Sequence, residues 1–222
     1  MEKNINEYID HTLLKRDVLT KEIDQAVNDA IKYKFKGLCI APFWISHVSK
    51  ILHENNVLVV TVIGFPYGQQ SMKTKAFEAK KAIKDGVDEL DFIINASKLH
   101  EKDQDYLKKE LSLLRKVTKN KTIKLIIETG LLNKEEKELA TTLGVEAGFN
   151  FIKTSTAVNT TGATAEDVKL MKKIINGRAK IKASGGIRNL KQAQELIKAG
   201  ADRIGTSNGI DIIRGLEGKS DY

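Results

Sequence analysis

The chain has 222 residues and no stretch whose composition marks a linker, so one large domain is expected. It carries 37 Lys and Arg against 29 Asp and Glu, a formal charge of +8, but the lysines alternate with acidic residues along helix-like stretches. This spread favours a solvated surface over a nucleic-acid interface. No apolar run approaches the roughly 20 residues that span a bilayer, and no signal peptide is recognisable. The single cysteine, Cys39, excludes an internal disulfide. We therefore expect a cytoplasmic protein with no membrane or nucleic-acid partner.

Eight short apolar runs of strand length follow one another along the chain. Several are continuous rather than alternating, as in VLVVTVIG at residues 57–64, which is typical of parallel strands covered on both faces. The predicted strands cover residues 8–13, 37–40, 58–63, 89–94, 123–128, 151–154, 180–183 and 203–205.

Segments with helical period lie between these runs. Thr20 is expected to cap a helix with apolar residues at the i, i+3, i+4, i+7 spacing, and Thr164 to cap another. Asn189 with Gln192 resembles a capping box, and Gly200 is expected to end that helix. Strand and helix alternating to a count of eight predict a single-domain (β/α)8 TIM barrel over residues 1–222, with a flexible tail at 216–222. A doubly wound open sheet is the alternative.

Two lysines stand at equivalent places in consecutive predicted strands. Phe151 and Ile152 lead into Lys153, and Lys182 occupies the same point of its own run. In a barrel both ammonium groups would converge on the mouth at the carboxyl ends of the strands. A second ammonium about 4 Å away disfavours a charged lysine by up to about 4 kcal/mol, or about three pK units. We interpret Lys153, which follows the more apolar residues, as a nucleophile and Lys182 as its activator.

Asp91 is the candidate proton shuttle for such a lysine. It lies among Leu90, Phe92 and Ile93, and burying a carboxylate there costs several kcal/mol unless it is paired. Two nearby ammonium groups would provide the partner. Asp10 is similarly placed in the first run, whereas Asp88 and Glu89 are expected at an exposed strand start.

Small-residue turns follow the seventh and eighth predicted strands. The first contains Gly185 and Gly186, and the second contains Gly205 and Ser207. Exposed backbone N–H groups in such turns suit a phosphate. Cys39 is expected to be a core thiol. The four histidines, residues 11, 47, 53 and 100, show no metal-ligand spacing, so no metal site is predicted.

The chain resembles the deoxyribose-phosphate aldolase family of class I aldolases almost from end to end. The segments that carry the resemblance are IDHTLL at residues 9–14, GLCIAP at 37–42, TVIGFPYG at 61–68, DELDFIIN at 88–95, KLIIETGLL at 124–132, FIKTST at 151–156, GATAEDVKLM at 162–171, KASGGIRN at 182–189 and GADRIGTS at 200–207. FIKTST and KASGGIRN are the most specific of these.

The resemblance implies reversible cleavage of 2-deoxy-D-ribose 5-phosphate to D-glyceraldehyde 3-phosphate and acetaldehyde, in deoxyribose phosphate catabolism, without metal or organic cofactor. It implies that Lys153 forms the Schiff base, that Lys182 lowers the pKa of that lysine, and that Asp91 donates and accepts the proton. It further implies phosphate contacts from Gly185, Gly186, Gly205 and Ser207, and a substrate pocket lined by Asp10, Cys39 and Thr156. A homodimer or homotetramer is left open.

The sequence departs from the family pattern near the expected phosphate site. Ala157 stands where the family usually has glycine, residues 158–161 replace an often glycine-rich stretch, and Asn208 replaces a smaller residue. Ala157 cannot adopt a positive φ cheaply. Tyr222, at the end of the chain, is a candidate for proton transfer at the imine, and an inert terminus is equally compatible with the sequence. Two other functions are considered: a catalytically silent sugar-phosphate-binding barrel with a regulatory role, and a nucleic-acid-binding protein.

Overall fold

A computed structural model describes residues 4–158 and 160–219. Its eight strands form a closed parallel barrel in which each strand pairs with the next and β8 pairs with β1. The strands are β1 (Ile9–Leu13), β2 (Gly37–Ile40), β3 (Leu58–Ile63), β4 (Glu89–Ile93), β5 (Thr122–Ile126), β6 (Phe151–Lys153), β7 (Lys180–Ser184) and β8 (Arg203–Thr206). The predicted (β/α)8 fold is confirmed, and the open-sheet alternative is wrong.

Helices cover the outside of the barrel. They are α1 (Thr20–Lys32), α2 (Ile45–Glu54), α3 (Met72–Lys84), α4 (Ala96–His100), α5 (Gln104–Thr118), α6 (Lys134–Glu146), α7 (Ala165–Ile175), α8 (Leu190–Ala199) and α9 (Gly209–Arg214). Among the described residues, no helix combines the length and the apolar character that crossing a bilayer requires.

The helix boundaries follow the predicted capping residues closely. The Thr164 side chain accepts a hydrogen bond from the Asp167 N–H, and Asn189 accepts one from Gln192. The second half of the predicted capping box is missing, because the Gln192 side chain accepts from the backbone of Arg188 instead. Thr20 is wrong by one residue as a cap: Leu19 is the N-cap, and its N–H donates to the Glu22 carboxylate at 2.8 Å.

Alternate residues along the strands face opposite sides of the barrel wall, and the two sides differ in polarity. Residues such as Leu38, Leu90, Ile152 and Ile204 belong to the main apolar core. The positions between them carry Asp10, Glu89, Asp91, Lys124, Lys153, Lys182 and Arg203, whose charged groups contact one another. The period of two along each strand, combined with closure, therefore concentrates charge inside the barrel.

Candidate active site

Lys153 and Lys182 lie side by side, because they are direct partners in the parallel register of β6 and β7. Both side chains donate to the same carboxylate oxygen, Oδ2 of Asp91 on β4, from 2.9 and 2.8 Å respectively. The two Nζ atoms are therefore less than about 6 Å apart. The structure thus brings together the three residues that the sequence singled out for chemistry.

Four more charged residues extend this arrangement along the barrel axis. Lys124 lies 2.8 Å from Oδ1 of Asp91 and 2.6 Å from Glu89. Asp10 pairs with Lys182 at 2.6 Å and with Arg203 at 2.6 Å. Arg203 also donates to Glu89 at 3.1 Å. We call the seven residues the axial network: Asp10, Glu89, Asp91, Lys124, Lys153, Lys182 and Arg203.

The axial network holds four cations and three carboxylates. With every group ionised its formal charge is +1, and release of one proton makes it neutral. Lys153 is 4 % exposed, whereas Lys182, Lys124 and Asp91 are fully buried. Lys153 is therefore the lysine of the network that a small molecule entering the barrel mouth could reach.

The buried charges stabilise one another strongly. Burial by itself would raise the pKa of Asp91, but Lys124, Lys153 and Lys182 hold it well below its ordinary value. Burial would lower the pKa of Lys182, but Asp10 and Asp91 raise it well above its ordinary value. In the absence of substrate, Lys182 is therefore positively charged at neutral pH and Asp91 is negatively charged.

Three members of the network were missed by sequence reasoning. Glu89 was expected at an exposed strand start and is 5 % exposed, because Lys124 and Arg203 bind it inside the barrel. No role was predicted for Lys124 or Arg203. Lys124 stands between Ile123 and Leu125, the same signal that the sequence gives at Asp91, whereas Glu89 and Arg203 each follow an aspartate at the start of an apolar run.

Two of the predicted pocket residues lie deep inside the barrel. Asp10 is fully buried between Lys182 and Arg203. Cys39 is also fully buried and packs with Val60 and Val62 in a small apolar cluster of its own. Burial raises the pKa of the Cys39 thiol, so it is protonated at neutral pH, as a core thiol should be.

The loop after β6 is tied down by Glu128, a residue that sequence reasoning did not single out. Its buried carboxylate accepts hydrogen bonds from the hydroxyls of Ser155 at 2.6 Å and Thr160 at 2.8 Å. The N–H and the hydroxyl of Thr156 also donate to it. Thr156 is thus held by Glu128, and its role in a substrate pocket stays a prediction.

A cavity of about 250 Å³ opens where the loops after β6, β7 and β8 meet. Gly186, Gly205 and Ser207 line it, whereas Gly185 packs against Gly162 behind it. No Asp or Glu is among the described lining, which also includes Ala157, Thr160, Gly162, Ile187, Arg188, Thr206 and Asn208. A Cβ on Gly205 would stand 3.0 Å from Cε of Lys182, so the cavity adjoins the lysine pair. Hydroxyls, backbone groups and one arginine make this a suitable place for an anion.

The departures from the family pattern are accommodated in the walls of this cavity. Ala157 adopts φ +65°, a left-handed conformation that costs a non-glycine residue about 1–3 kcal/mol. Its N–H donates to the Ser155 hydroxyl at 2.9 Å. Asn208 is buried, and its N–H donates to the Thr206 hydroxyl.

The start of the C-terminal tail packs beside the same cavity. The Gly218 N–H donates to the Arg188 carbonyl at 2.8 Å, and Asn189 donates to the Glu217 carboxylate at 2.7 Å. The flexibility of the tail stays a prediction, and Tyr222 lies outside the described residues. Across residues 4–158 and 160–219, no cluster of three His, Cys, Asp or Glu side chains could hold a metal ion.

Comparison with known proteins relates this site to a family of aldolases. Residues 5–215 match the model of the DeoC/LacD family aldolases. The chain is 51% identical to a deoxyribose-phosphate aldolase of Finegoldia magna, over 95% of this chain and 99% of the relative, and 48% identical to one of Staphylococcus carnosus, over 97% and 98%. The tetrameric deoxyribose phosphate aldolase of Aeropyrum pernix superposes with a TM-score of 0.88 at 29% identity, over 95% of this chain and 89% of that one. The chain therefore belongs to the DeoC/LacD aldolase family.

Proposed function

We propose that this protein reversibly cleaves 2-deoxy-D-ribose 5-phosphate to D-glyceraldehyde 3-phosphate and acetaldehyde through a Schiff base on Lys153. The observation that carries the proposal is the sharing of one Asp91 oxygen by Lys153 and Lys182 at the carboxyl end of the barrel. The relatives named deoxyribose-phosphate aldolase support the choice of substrate. The reaction would serve the breakdown of deoxyribose phosphates.

The first half of the reaction builds an electron sink on the substrate. The neutral Lys153 amine attacks the C1 aldehyde, and loss of water from the carbinolamine gives a protonated imine. Lys182 stays an ammonium because Asp10 and Asp91 bind it.

The second half breaks the bond between C2 and C3. The C3 hydroxyl gives up its proton, its electrons form the aldehyde of glyceraldehyde 3-phosphate, and the C2–C3 pair moves toward the iminium nitrogen to leave an enamine. Asp91, held between the two lysines, receives the proton directly or through a water, and the same groups return it to C2. Hydrolysis of the second imine then releases acetaldehyde and regenerates Lys153.

The phosphate of the substrate would occupy the 250 Å³ cavity beside Gly205. Gly186 and Ser207 offer backbone and hydroxyl donors there, and Arg188 offers a positive charge. Asp10, Cys39 and Thr156 would border the sugar, with Gly185 supporting the loop from behind. Arg188 belongs to the KASGGIRN segment at residues 182–189, although no role for it was predicted from the sequence.

Borohydride trapping with 2-deoxyribose 5-phosphate, followed by peptide mass spectrometry, tests the proposal. The reduced adduct should appear on the peptide that contains Lys153 and should be absent from Lys153→Arg. The matched control is Lys75→Arg, a second buried lysine outside the site. An adduct on Lys182 or on surface lysines would show that the roles are misassigned. If nothing is trapped while the sugar phosphate still binds, the catalytically silent barrel would be the better description.

A homo-oligomer remains part of the proposal. The relative from Aeropyrum pernix is described as tetrameric. Phe43 and Phe77 expose 81% and 73% of their surface here, which is unusual for large apolar side chains. Light scattering at several concentrations should give the mass of a dimer or a tetramer, and a monomeric mass throughout would exclude both.

A further inference from the structure

A second cavity lies at the opposite end of the barrel from the lysine pair. It measures about 470 Å³ and is lined by residues that precede or begin strands β1, β2, β3, β6, β7 and β8. Lys34, Lys36, Lys180 and Arg203 supply four cations to the described lining, against the carboxylates of Glu7 and Asp202. Asp202 is already engaged by the Ile181 N–H at 2.9 Å. Because Arg203 is already paired with Asp10 and Glu89, the three lysines and two carboxylates of the lining leave a formal charge of +1, which suits an anion.

The Phe151 ring, at the inner wall of the cavity, contacts two of these cations, Lys180 and Arg203, and also Lys124 of the axial network. The guanidinium carbon of Arg203 lies 5.4 Å from the Phe151 ring centroid, and the Lys180 and Lys124 ammonium groups each lie 5.8 Å from it. Asp10, Glu89 and Asp91 already pair with Arg203 and Lys124. A bound anion would therefore be held mainly by Lys36 and Lys180, which are exposed at the rim of the cavity.

Arg203 connects this cavity to the site at the other end. It lines the cavity, and its Nη1 binds Asp10 at 2.6 Å. From Asp10 a continuous series of ion pairs runs through Lys182 and Asp91 to Lys153, with no step longer than 2.9 Å. Negative charge placed against Arg203 therefore acts on the buried network that positions Asp91 beside Lys153.

We propose that the amino-terminal cavity is a second binding site, for a small multivalent anion such as a phosphate ester or a polycarboxylate, and that its occupancy slows the reaction at Lys153. The anion sits between Lys36 and Lys180 with Arg203 behind it. Because the anion competes with Asp10 for Arg203, it disturbs the ion pairs that position Asp91 beside Lys153. This site is separate from the sugar-phosphate cavity and does not depend on the identity of the substrate.

Titration calorimetry with inorganic pyrophosphate on the full chain tests the binding. Pyrophosphate forms no imine, so any binding reports on anion sites alone. The wild type should show two sites, one lost in Arg188→Glu at the mouth and the other weakened at least tenfold in the Lys36→Glu/Lys180→Glu double variant. Both of these lysines are exposed, so the fold should survive their replacement. Lys109→Glu, an exposed lysine on α5, is the matched control and should keep both sites.

The coupling is tested by the rate of borohydride trapping at saturating substrate. Pyrophosphate should slow trapping in the wild type and in Lys109→Glu, and this slowing should disappear in Lys36→Glu/Lys180→Glu. A double variant that still binds two pyrophosphates would overturn the site. If binding at the amino-terminal cavity leaves the trapping rate unchanged, the proposed coupling is wrong. Because the calorimetry involves no catalysis, a failure of the proposed aldolase reaction would leave the binding result interpretable.

Discussion

The axial network and the pair formed by Lys75 and Glu110 are both buried ion pairs, yet the net shifts of their pKa values run in opposite directions. Lys75 on α3 and Glu110 on α5 are fully buried, 3.1 Å apart. There, burial lowers the pKa of Lys75 and raises that of Glu110, and their mutual attraction offsets only part of the cost. In the axial network the attraction prevails, and the pKa of Asp91 is held low while that of Lys182 is raised.

The axial network differs from the Lys75–Glu110 pair in the number of oppositely charged partners and in how accessible the lysine is to a substrate. Asp91 has three lysines within 2.9 Å, whereas Glu110 has one. Lys75 uses its remaining capacity on the Ile93 carbonyl, at 2.8 Å, and it is fully buried between two helices. Among the described residues, Lys153 has one ion-pair partner, Asp91, and it lies at the barrel mouth. A buried lysine is thus suited to chemistry when it is the excess cation of a network and can be reached.

Replacing Lys153 by arginine should separate the two regions most sharply. Arginine keeps the positive charge beside Asp91 but cannot form an imine, so kcat should fall by at least about 10⁴-fold while stability changes little. Lys75→Arg should show the converse, a loss of stability with kcat unchanged. Steady-state kinetics and urea unfolding on both variants check this, and appreciable turnover by Lys153→Arg would refute the assignment.

Asp91→Asn should affect both properties. The amide cannot take the C3 proton, so kcat should fall by about 10²–10⁴-fold. Three lysines would also lose their shared anion, and breaking such a buried pair costs about 3–5 kcal/mol. Denaturant midpoints and kcat measured on the same preparation test both effects. A variant that is inactive but as stable as the wild type would mean that the lysines find other partners.

Removing one partner of the second pair should cost stability alone. Lys75→Met leaves Glu110 buried without its cation and should lower the free energy of unfolding by about 3–5 kcal/mol. The double variant Lys75→Met/Glu110→Met should recover most of that loss, because two apolar side chains can replace a desolvated ion pair. The kcat/KM of the folded fraction should be unchanged in both. A selective loss of kcat in the double variant would show that this pair also serves the site.

The sequence predicted the axial network in part, and the reasons are physical. Lys153, Lys182 and Asp91 stand out because charged residues are unexpected inside apolar strand-length runs. Lys124 gives the same signal, whereas Arg203 follows Asp202 at the very start of its run. The partners of both are far apart along the chain and meet only when the barrel closes. Lys75 gives no signal at all, since it is one of several lysines along α3. The conformation of Ala157 depends on the loop that Glu128 holds, which local sequence cannot reveal.

Protonation of His11 should be the main cause of the loss of stability in mild acid. Neither the axial network nor the pair of Lys75 and Glu110 should lose stability in that pH range. It is buried against Phe35, with ring centroids 5.1 Å apart, and burial lowers its pKa to about 4 from 6.5. Between these values the unfolded chain binds a proton that the folded chain rejects. Stability is therefore fully present above pH 6.5 and falls by roughly 3 kcal/mol as the pH drops to about 4.

The pH profile of His11→Leu separates this effect from the axial network. The Asp10 and Asp91 carboxylates have folded pKa values below the ordinary 3.8, so the stability they contribute is complete above about pH 4 and is lost below it. Urea unfolding of the variant should be nearly flat from pH 6.5 to 4 and should decline at lower pH. If the free energy of unfolding of the variant began to fall near pH 6, a carboxylate of the axial network would be titrating between pH 6.5 and 4.

The smallest expected effect is that of replacing Ala157, in the loop after β6. The carboxylate that holds this loop, Glu128, is bound by hydroxyl and N–H donors and not by lysines. Glycine tolerates φ +65°, so Ala157→Gly should relieve strain and raise the free energy of unfolding by up to about 1 kcal/mol, less the greater entropy of glycine in the unfolded chain. Because the residue lines the cavity proposed for the phosphate, KM should change more than kcat. Thermal unfolding checks the change in stability, and kinetics with 2-deoxyribose and its 5-phosphate check the change in KM. Ala163→Gly is the control, because Ala163 is not among the residues with positive φ. If Ala157→Gly lowered kcat as strongly as Asp91→Asn does, the loop after β6 would take part in the chemistry. Charged partners would then not be what distinguishes the catalytic carboxylate of Asp91 from the carboxylate of Glu128.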